Sequence, residues 1–543
     1  MSGRHFRLRP AWAGDTLLAA LFACTAALGL LAPLLGESAP PARYLLVAGG
    51  SRPAQNQVSL EEHVQLLRRT LEGGPADEAH RPAGDGSAAA ADASMSGSLL
   101  FAAGSGPYPV VQVEDERPPG KDLRSLLAEL FGQTPAGVVY RPARLARVDG
   151  AADRQSFLAA LQREARQAGP GGTLLLYFTG HGSVEAEPYG PTFWLWGDQL
   201  LGLKELAAAL DELTDPPQLV LTFTQCFAGS FAPVLYRGGD PAQGPSPATR
   251  CGFFATLGDR EATGCTPSRA VEGYDDYTVR LVEALRGRTL DGRAVHGPLD
   301  LDGDGRVGLH EAHAYVRLQE RSVDVPTSTA ELWLRERAPL PGESLHLGSP
   351  LPRVLAAARP TERTVLAGLV ARLLPDDPSP VLQARYRSEL LDHQVKALDR
   401  QYEEALQERE AYASQLIVEL SARWPILEEP WHPDLPALLA EQGGQIERFL
   451  RPHPARRAMR RAQARADRLD GQRWKKLEER AWYDRLVRAA ENVVLEAGLR
   501  SLGGKDVTVL DRLLACESWS PPGKSSEPVP VGQPLPVAGK QER

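Results

Sequence analysis

Short apolar runs, separated by stretches with helical spacing, organise the first 340 residues of this chain. Thr173–Phe178 and Gln218–Phe223 are rich in β-branched and aromatic residues and are bounded by glycine or proline, as buried strands are. Between them, Leu203–Leu213 has its apolar residues at the spacing of a helix. A strand, a helix and a second strand in this order predict that the two strands are parallel. The pattern therefore predicts an α/β fold built on parallel strands.

Each of these two strands is followed by a residue that can carry out nucleophilic chemistry. His181 follows the first strand and Cys226 the second, and the carboxyl ends of parallel strands share one edge of the sheet. A thiol reacts as the thiolate, and a nearby imidazole can take its proton. The backbone N–H groups of Gly182 and Cys226 would bind the oxyanion. The pattern predicts a Cys–His catalytic dyad, and the alternative is a structural cysteine with an unrelated loop histidine.

At these residues the chain resembles the caspase, legumain, metacaspase and gingipain group of cysteine peptidases, and bacterial legumain/caspase-like proteins in particular. YFTGHGS and TQCFAGSF, which contain His181 and Cys226, are similar to the histidine and cysteine motifs of that group. The resemblance covers about Tyr44–Arg337. It implies a caspase-like, mostly parallel sheet flanked by helices, and cleavage of peptide bonds by the dyad. Asn56 lies near a supporting asparagine of legumains, whereas Val58 stands where they carry an arginine that holds an asparagine substrate.

The same resemblance gives a meaning to the turn that follows the apolar run Cys251–Thr256. In related peptidases this turn lines the pocket for the substrate residue that precedes the cleaved bond. Asp259 and Glu261 would there meet a basic side chain, whereas Arg260 would meet an acidic one. The alternative is a solvated loop without contact to substrate.

Residues 300–311, DLDGDGRVGLHE, have the spacing of an EF-hand calcium loop. Carboxylates occupy the four positions where such loops use side-chain ligands, and a glycine stands where the loop turns sharply. One further position ligates through its backbone carbonyl. The predicted ligands are Asp300, Asp302, Asp304, Arg306 and Glu311. The spacing predicts a bound Ca²⁺ that acts as a structural clip, against the alternative of an acidic turn without metal.

After a boundary rich in proline and glycine, the chain becomes helical in character. Apolar residues from Leu391 to Leu416 keep a heptad-like spacing, which predicts an intramolecular helical hairpin or, as the alternative, a coiled-coil dimer. Arg451–Arg480 contains eleven Lys/Arg and four Asp/Glu. This segment is interpreted as a solvated helix face or as a surface for an acidic partner or anionic lipid.

The N-terminal residues have the features of an export or anchoring segment. Leu17–Leu35 is uncharged, mostly apolar and preceded by arginines, and it is long enough to span a bilayer. This predicts a membrane anchor with the rest of the chain in the periplasm or outside the cell. A signal peptide cleaved near Ser38–Ala42, which would give a secreted protein, is the alternative. In an exported chain Cys251 and Cys265 could pair, and the sequence leaves this open.

The expected regions are an anchor or signal with linker at 1–43, a peptidase domain at 44–340 with a mobile insertion at 73–106, a helical domain at 341–516 and a disordered tail at 517–543. The expected activity is hydrolysis of peptide bonds in a protein or peptide substrate. One alternative is a transpeptidase or ligase on the same dyad. Another is a non-catalytic, calcium-stabilised scaffold that binds a partner through its helical half. A net charge of −8 over 543 residues argues against a general nucleic-acid binder.

Overall fold

The computed structural model of the protein describes most of the chain between residues 40 and 522. The described ranges are 40–73, 95–115, 123–131, 138–185, 190–264, 275–295, 297–339, 345–429 and 432–522. The predicted anchor or signal segment and residues 523–543 of the predicted disordered tail lie outside these ranges.

A six-stranded sheet with the strand order β11-β10-β9-β5-β1-β2 forms the centre of the fold. All neighbouring strands in it are parallel except β10 and β11. Two small antiparallel sheets, β3-β4 and β6-β7-β8, lie beside it. The strands are β1 Ala42–Gly49, β2 Ser96–Phe101, β3 Val111–Glu114, β4 Val138–Arg141, β5 Thr173–Gly180, β6 Gly182–Val184, β7 Pro191–Leu195, β8 Gln199–Gly202, β9 Gln218–Phe223, β10 Arg250–Phe254 and β11 Thr327–Ser328. The predicted α/β fold with a mostly parallel sheet is confirmed.

Helices cover both faces of the central sheet and make up most of the C-terminal region. They are α1 Val58–Leu71, α2 Leu123–Phe131, α3 Arg154–Ala168, α4 Leu203–Asp211, α5 Tyr277–Arg286, α6 Leu309–Gln319, α7 Thr329–Arg337, α8 Leu351–Ala357, α9 Pro360–Leu373, α10 Pro380–Ser421, α11 Leu435–Leu450, α12 Pro454–Leu502 and α13 Lys505–Glu517. One apolar core joins the sheet to α1, α5, α6, α7 and α13, and a second joins its other face to α3 and α4. Burial on both faces explains why the central strands are continuous apolar runs.

The prediction of a mobile insertion at residues 73–106 is wrong for its second half. Residues 96–101 form β2, which pairs with β1 along its length and is largely buried. Gly97 reflects close packing and not flexibility, because a Cβ at this position would lie 1.9 Å from the carbonyl oxygen of Tyr44. Glycine is needed for this close approach of two strands. Residues 74–94 of the insertion lie outside the described ranges.

The C-terminal region contains the predicted intramolecular hairpin. Ion pairs join Arg465 to Glu408, Arg473 to Asp399 and Arg480 to Asp392. As the residue number rises along α12, the number of its partner residue in α10 falls, so the two helices are antiparallel. Acidic residues of α10 thus neutralise part of the basic stretch that the sequence shows in α12.

A disulfide ties the last helix to the central sheet. Cys251 in β10 and Cys516 in α13 are bonded, with their Cα atoms 6.0 Å apart. Cys251 therefore pairs with a residue 265 positions away along the chain and not with Cys265, a pairing that the sequence left open. The C-terminal helix is covalently attached to the strand beside β9, which precedes Cys226.

The prediction that the chain is a transmembrane protein is corrected. Within residues 40–522, as far as they are described, no helix combines the length and the apolar character that crossing a bilayer requires. Leu17–Leu35, for which the anchor was predicted, lies outside the described residues. The membrane assignment is therefore withdrawn.

Candidate active site

The two predicted catalytic residues follow neighbouring strands at the same edge of the sheet. β5 and β9 are parallel, with Phe178 paired to Phe223 at the end of the ladder. His181 follows Phe178 by three residues, and Cys226 follows Phe223 by the same number. The pairing of β5 with β9 therefore explains why His181 and Cys226 lie at the same edge of the sheet.

The imidazole of His181 is held by the segment that follows β1. Its Nε2 atom lies 2.9 Å from the carbonyl oxygen of Gln55 and 3.1 Å from Oε1 of Gln57. Both partners are acceptors, so Nε2 carries the proton and, in the neutral ring, Nδ1 carries the lone pair. Burial lowers the pKa of His181. At neutral pH the ring is therefore an uncharged base whose orientation is fixed.

Asn56, predicted as a supporting residue, lies between these two partners of the histidine. Its side chain is fully buried and points elsewhere. Oδ1 accepts a hydrogen bond from the N–H of Gly50 at 3.3 Å, and Nδ2 donates to the carbonyl of Val110 at 2.8 Å. Asn56 thus fixes the loop that presents Gln55 and Gln57. Sequence reasoning missed these two glutamines, although the run of three amide side chains at residues 55–57, in the loop after β1, was a usable signal.

The thiol of Cys226 contacts the turn that follows β10. Sγ accepts a hydrogen bond from the N–H of Ala262 at 3.3 Å and lies 3.7 Å from the carbonyl oxygen of the same residue. The hydrogen bonds of the thiol are thus made with Ala262 and not with His181. Burial raises the pKa of Cys226 to about 11, and the charges of Glu261 and Asp324 add to the effect. At rest the thiol is protonated.

The chain turns sharply directly after Cys226. Phe227 has a φ of 59°, in the left-handed region that non-glycine residues rarely adopt, and its N–H donates to the carbonyl of Arg260 at 2.9 Å. Such a conformation costs on the order of 1–3 kcal/mol and persists only where its surroundings enforce it. Gly229 allows a close approach, since a Cβ there would lie 2.8 Å from the backbone nitrogen of Gly258.

Gly182, the predicted oxyanion donor, packs tightly against the cysteine. A Cβ at this position would lie 2.9 Å from the carbonyl oxygen of Cys226. The N–H of Trp194 bonds to the carbonyl of His181 at 3.0 Å, so Gly182 and Phe193 form a non-hydrogen-bonded pair. The N–H of Gly182 consequently points away from β7. This orientation leaves it available to a group bound beside the thiol.

The two acids predicted to meet a substrate side chain lie at the surface. Asp259 is paired with Arg260 at 3.6 Å and its side chain is 78% exposed, and Glu261 is also exposed. A small cavity of about 10 Å³ reaches Gly180, which precedes His181, and Thr224, two residues before Cys226. Neither acid lines it. Its lining includes Thr179, Gly180, Thr224, Thr263, His63 and Asp276.

The acidic loop brings its predicted ligands together. Carboxylate oxygens of Asp300, Asp302 and Asp304 lie within 4.8 Å of one another, and Asp302 is equally close to Glu311 and His310. Asp300 accepts hydrogen bonds from two backbone N–H groups of the loop. A compact set of hard oxygen donors on a tightly turned backbone fits Ca²⁺ better than a soft metal.

Glu311 closes the loop from its far end. Its carboxylate accepts hydrogen bonds from the N–H groups of Leu301, Asp302 and Gly308. Burial raises its pKa to about 7. Arg306 lies on the outer turn, where its N–H donates to Asp304 at 2.8 Å, and its predicted contribution is the backbone carbonyl alone. All five predicted ligands therefore belong to one twelve-residue loop at the start of α6.

Comparisons with known proteins give little further information. No protein-family model matches the chain, and no curated protein matches it. Among solved structures, the chain is similar to the crystal structure of protein GSU0716 from Geobacter sulfurreducens, with 12% identity over 53% of this chain and 92% of that chain. The TM-score of this match is 0.29, too low to carry an argument about fold or function.

Proposed function

We propose that the protein is a cysteine endopeptidase in which Cys226 is the nucleophile and His181 the general base and acid. The observation that carries the proposal is the fixed imidazole. Its Nε2–H is bound by Gln55 and Gln57, which leaves Nδ1 as the basic atom at the sheet edge where Cys226 also lies. Cys226 is moreover the one free cysteine among the described residues. The resemblance of both motifs to those of caspase-like and legumain-like peptidases supports the same activity.

The reaction follows from these roles. Sγ of Cys226 attacks the carbonyl carbon of the substrate as His181 takes the thiol proton. The N–H groups of Gly182 and Cys226 stabilise the oxyanion. His181 returns the proton to the departing amine, which leaves a thioester on Cys226. Water, deprotonated by the same imidazole, then hydrolyses the thioester and restores the free thiol.

In the resting protein, Cys226 and His181 do not form a thiolate–imidazolium pair. The pKa of Cys226 is about 11, and burial lowers that of His181, so proton transfer before substrate binds is unfavourable. Proton transfer therefore accompanies the attack.

We further propose that Ca²⁺ binds to Asp300, Asp302, Asp304, the carbonyl of Arg306 and Glu311. A bound cation neutralises these carboxylates and rigidifies the start of α6. The loop also reaches the C-terminal end of the described chain, because the N–H of Leu309 donates to the carbonyl of Trp519 at 3.0 Å. The role assigned to the ion is structural.

Export from the cytoplasm is proposed as well. The buried disulfide between Cys251 and Cys516 supports it, because such bonds persist mainly in oxidising compartments. Calcium is also more plentiful there than in the cytosol.

A mixed peptide library tests the activity. The full chain is incubated with the library in calcium, beside the variant Cys226→Ala, and cleavage sites are read by mass spectrometry. Cleavage that disappears in the variant is the expected result, and the sites report the preferred residue. Joined peptides in the presence of an added amine would instead indicate a transpeptidase. If Cys226 in the wild type reacts with a small electrophile but no peptide is cleaved or joined, the proposal fails in favour of a scaffold.

A further inference from the structure

Among the described residues, the short turn Arg260–Thr263 contacts both Cys226 and the residue that follows it. The N–H of Ala262 donates to Sγ of Cys226, and the carbonyl of Arg260 accepts from the N–H of Phe227. Neither contact explains what keeps the turn in place. The structure shows two anchors, one at each end of the turn, and both depend on helix α12.

The first anchor is an ion pair between the turn and α12. Nη1 of Arg260 lies 3.0 Å from Oδ2 of Asp484. The other carboxylate oxygen of Asp484 accepts from the hydroxyl of Ser388 in α10. The side chain of Asp484 is only 14% exposed, so the pair is partly shielded from water and salt. Asp484 therefore holds the first residue of the turn against the helical hairpin.

The second anchor runs through the segment between α6 and β11. Oδ1 of Asp324 accepts from the N–H of Thr263 at 2.8 Å, and Asp324 is fully buried. This segment is in turn fixed by Arg485, whose buried guanidinium donates to the carbonyl of Asp324 at 2.8 Å and to that of Glu320 at 2.6 Å. A planar guanidinium presents its donors in a fixed fork, which a lysine does not reproduce. Arg485 thus sets the position of Asp324, which holds the last residue of the turn.

From these contacts we infer that Asp484 and Arg485, adjacent residues of α12, are positioning residues for Cys226. Together they hold the turn Arg260–Thr263 on the thiol, so the helical C-terminal region completes the site that the sheet begins. The inference rests on the proposed function for its catalytic consequence. The placement of the thiol is a separate consequence and can be measured without a substrate.

The test follows the pH dependence of Cys226 alkylation by iodoacetamide, quantified on the peptide that contains Cys226. The full chain is compared with Asp484→Ala, Arg485→Lys and the conservative variant Asp484→Glu. Asp399→Ala is the matched control, because it also removes an ion pair between α10 and α12, the one with Arg473, but does not touch the turn. Melting temperatures identify variants that no longer fold.

Loss of either anchor is expected to let water reach the thiol. Because burial is the main cause of its raised pKa, alkylation at pH 8 should rise about tenfold or more in Asp484→Ala and Arg485→Lys. In the same variants kcat for peptide hydrolysis falls while KM changes little. Asp484→Glu and Asp399→Ala should keep the alkylation profile of the wild type.

Wild-type alkylation profiles in Asp484→Ala and Arg485→Lys would overturn the inference, as would an equal rise in Asp399→Ala. If Arg485→Lys does not fold, the partly exposed Asp484 still decides the question. A wild type that cleaves no peptide contradicts the proposed function alone, since the alkylation comparison remains informative.

Discussion

The edge of the sheet around His181 and Cys226 and the acidic loop at residues 300–311 are built in opposite ways. The loop obtains every predicted ligand from twelve consecutive residues. The dyad obtains its geometry from distant parts of the chain: Gln55 lies 126 residues before His181, and Ala262 lies 36 residues after Cys226. A local site tolerates disturbance elsewhere in the fold, whereas a site assembled from remote segments depends on all of them. The following predictions test this difference.

The largest effect is expected at the nucleophile. Cys226→Ala should lower kcat/KM for peptide hydrolysis on the order of 10⁴-fold or more, because no other group replaces the thiol in forming the thioester. The melting temperature and its increase with calcium should stay unchanged, since no contact described for Cys226 reaches the acidic loop. Kinetics check the loss of activity, and thermal melting with and without calcium checks that stability is unchanged. Residual cleavage near the wild-type rate would contradict the assignment.

A smaller loss is expected from a residue that acts only through the histidine. Gln57→Ala removes one of two acceptors that hold Nε2 of His181, and kcat should fall about tenfold. The carbonyl of Gln55 still orients the ring, which limits the effect. Gln463→Ala is the control, because this half-buried glutamine of α12 bonds only to Asp467 among the contacts described. Equal rates for the two variants would show that Gln57 does not position the imidazole.

Removal of calcium should affect stability more than chemistry. A cation present at about a hundredfold its dissociation constant contributes about 2.7 kcal/mol to the free energy of unfolding, so chelation should lower the melting temperature by a few degrees. Glu311→Gln should lower it similarly and should no longer respond to chelator. Differential scanning calorimetry measures both. If the wild type melts identically with calcium and with chelator, the loop does not bind the ion.

The smallest expected effect concerns a charge near the thiol. The charge of Glu261 helps to raise the pKa of Cys226 to about 11, so Glu261→Gln should lower that pKa. Alkylation of Cys226 rises roughly tenfold per pH unit below the pKa, and the variant should react about two- to threefold faster near pH 8. Asp259→Asn, at an exposed neighbouring carboxylate, should change little. An unchanged profile in Glu261→Gln would leave burial and the charge of Asp324 as the causes of the raised pKa.

The contrast between the two sites also explains what the sequence could predict. The strands before His181 and Cys226 were visible because both faces of the sheet are buried, which makes each strand a continuous apolar run. The acidic loop was visible because its ligands are set by position within one short segment. The resemblance to related peptidases placed Asp259 and Glu261 at a substrate pocket, with a solvated loop as the alternative, and both side chains face solvent.

The contacts that position His181 and Cys226 join residues far apart in the chain, so no local sequence pattern indicates them. Arg485 looks like any charged residue of a long helix, yet its side chain is buried against backbone carbonyls more than 160 residues away along the chain. The partner of Cys251 was equally hidden, because only the folded chain brings α13 to β10. The segment around Gly97 was interpreted as part of a loop, since composition does not distinguish flexibility from close packing.

The most direct test of the account is whether His181 activates Cys226. The full-length protein and the variant His181→Gln are treated with a set of peptidyl acyloxymethyl ketones that differ in the residue before the reactive group, and adducts are located by peptide mapping. Rapid modification of Cys226 by one or a few of these compounds is expected in the wild type, with a rate lower by at least about a hundredfold in His181→Gln. Equal rates in the two proteins, or modification at another residue, would contradict it.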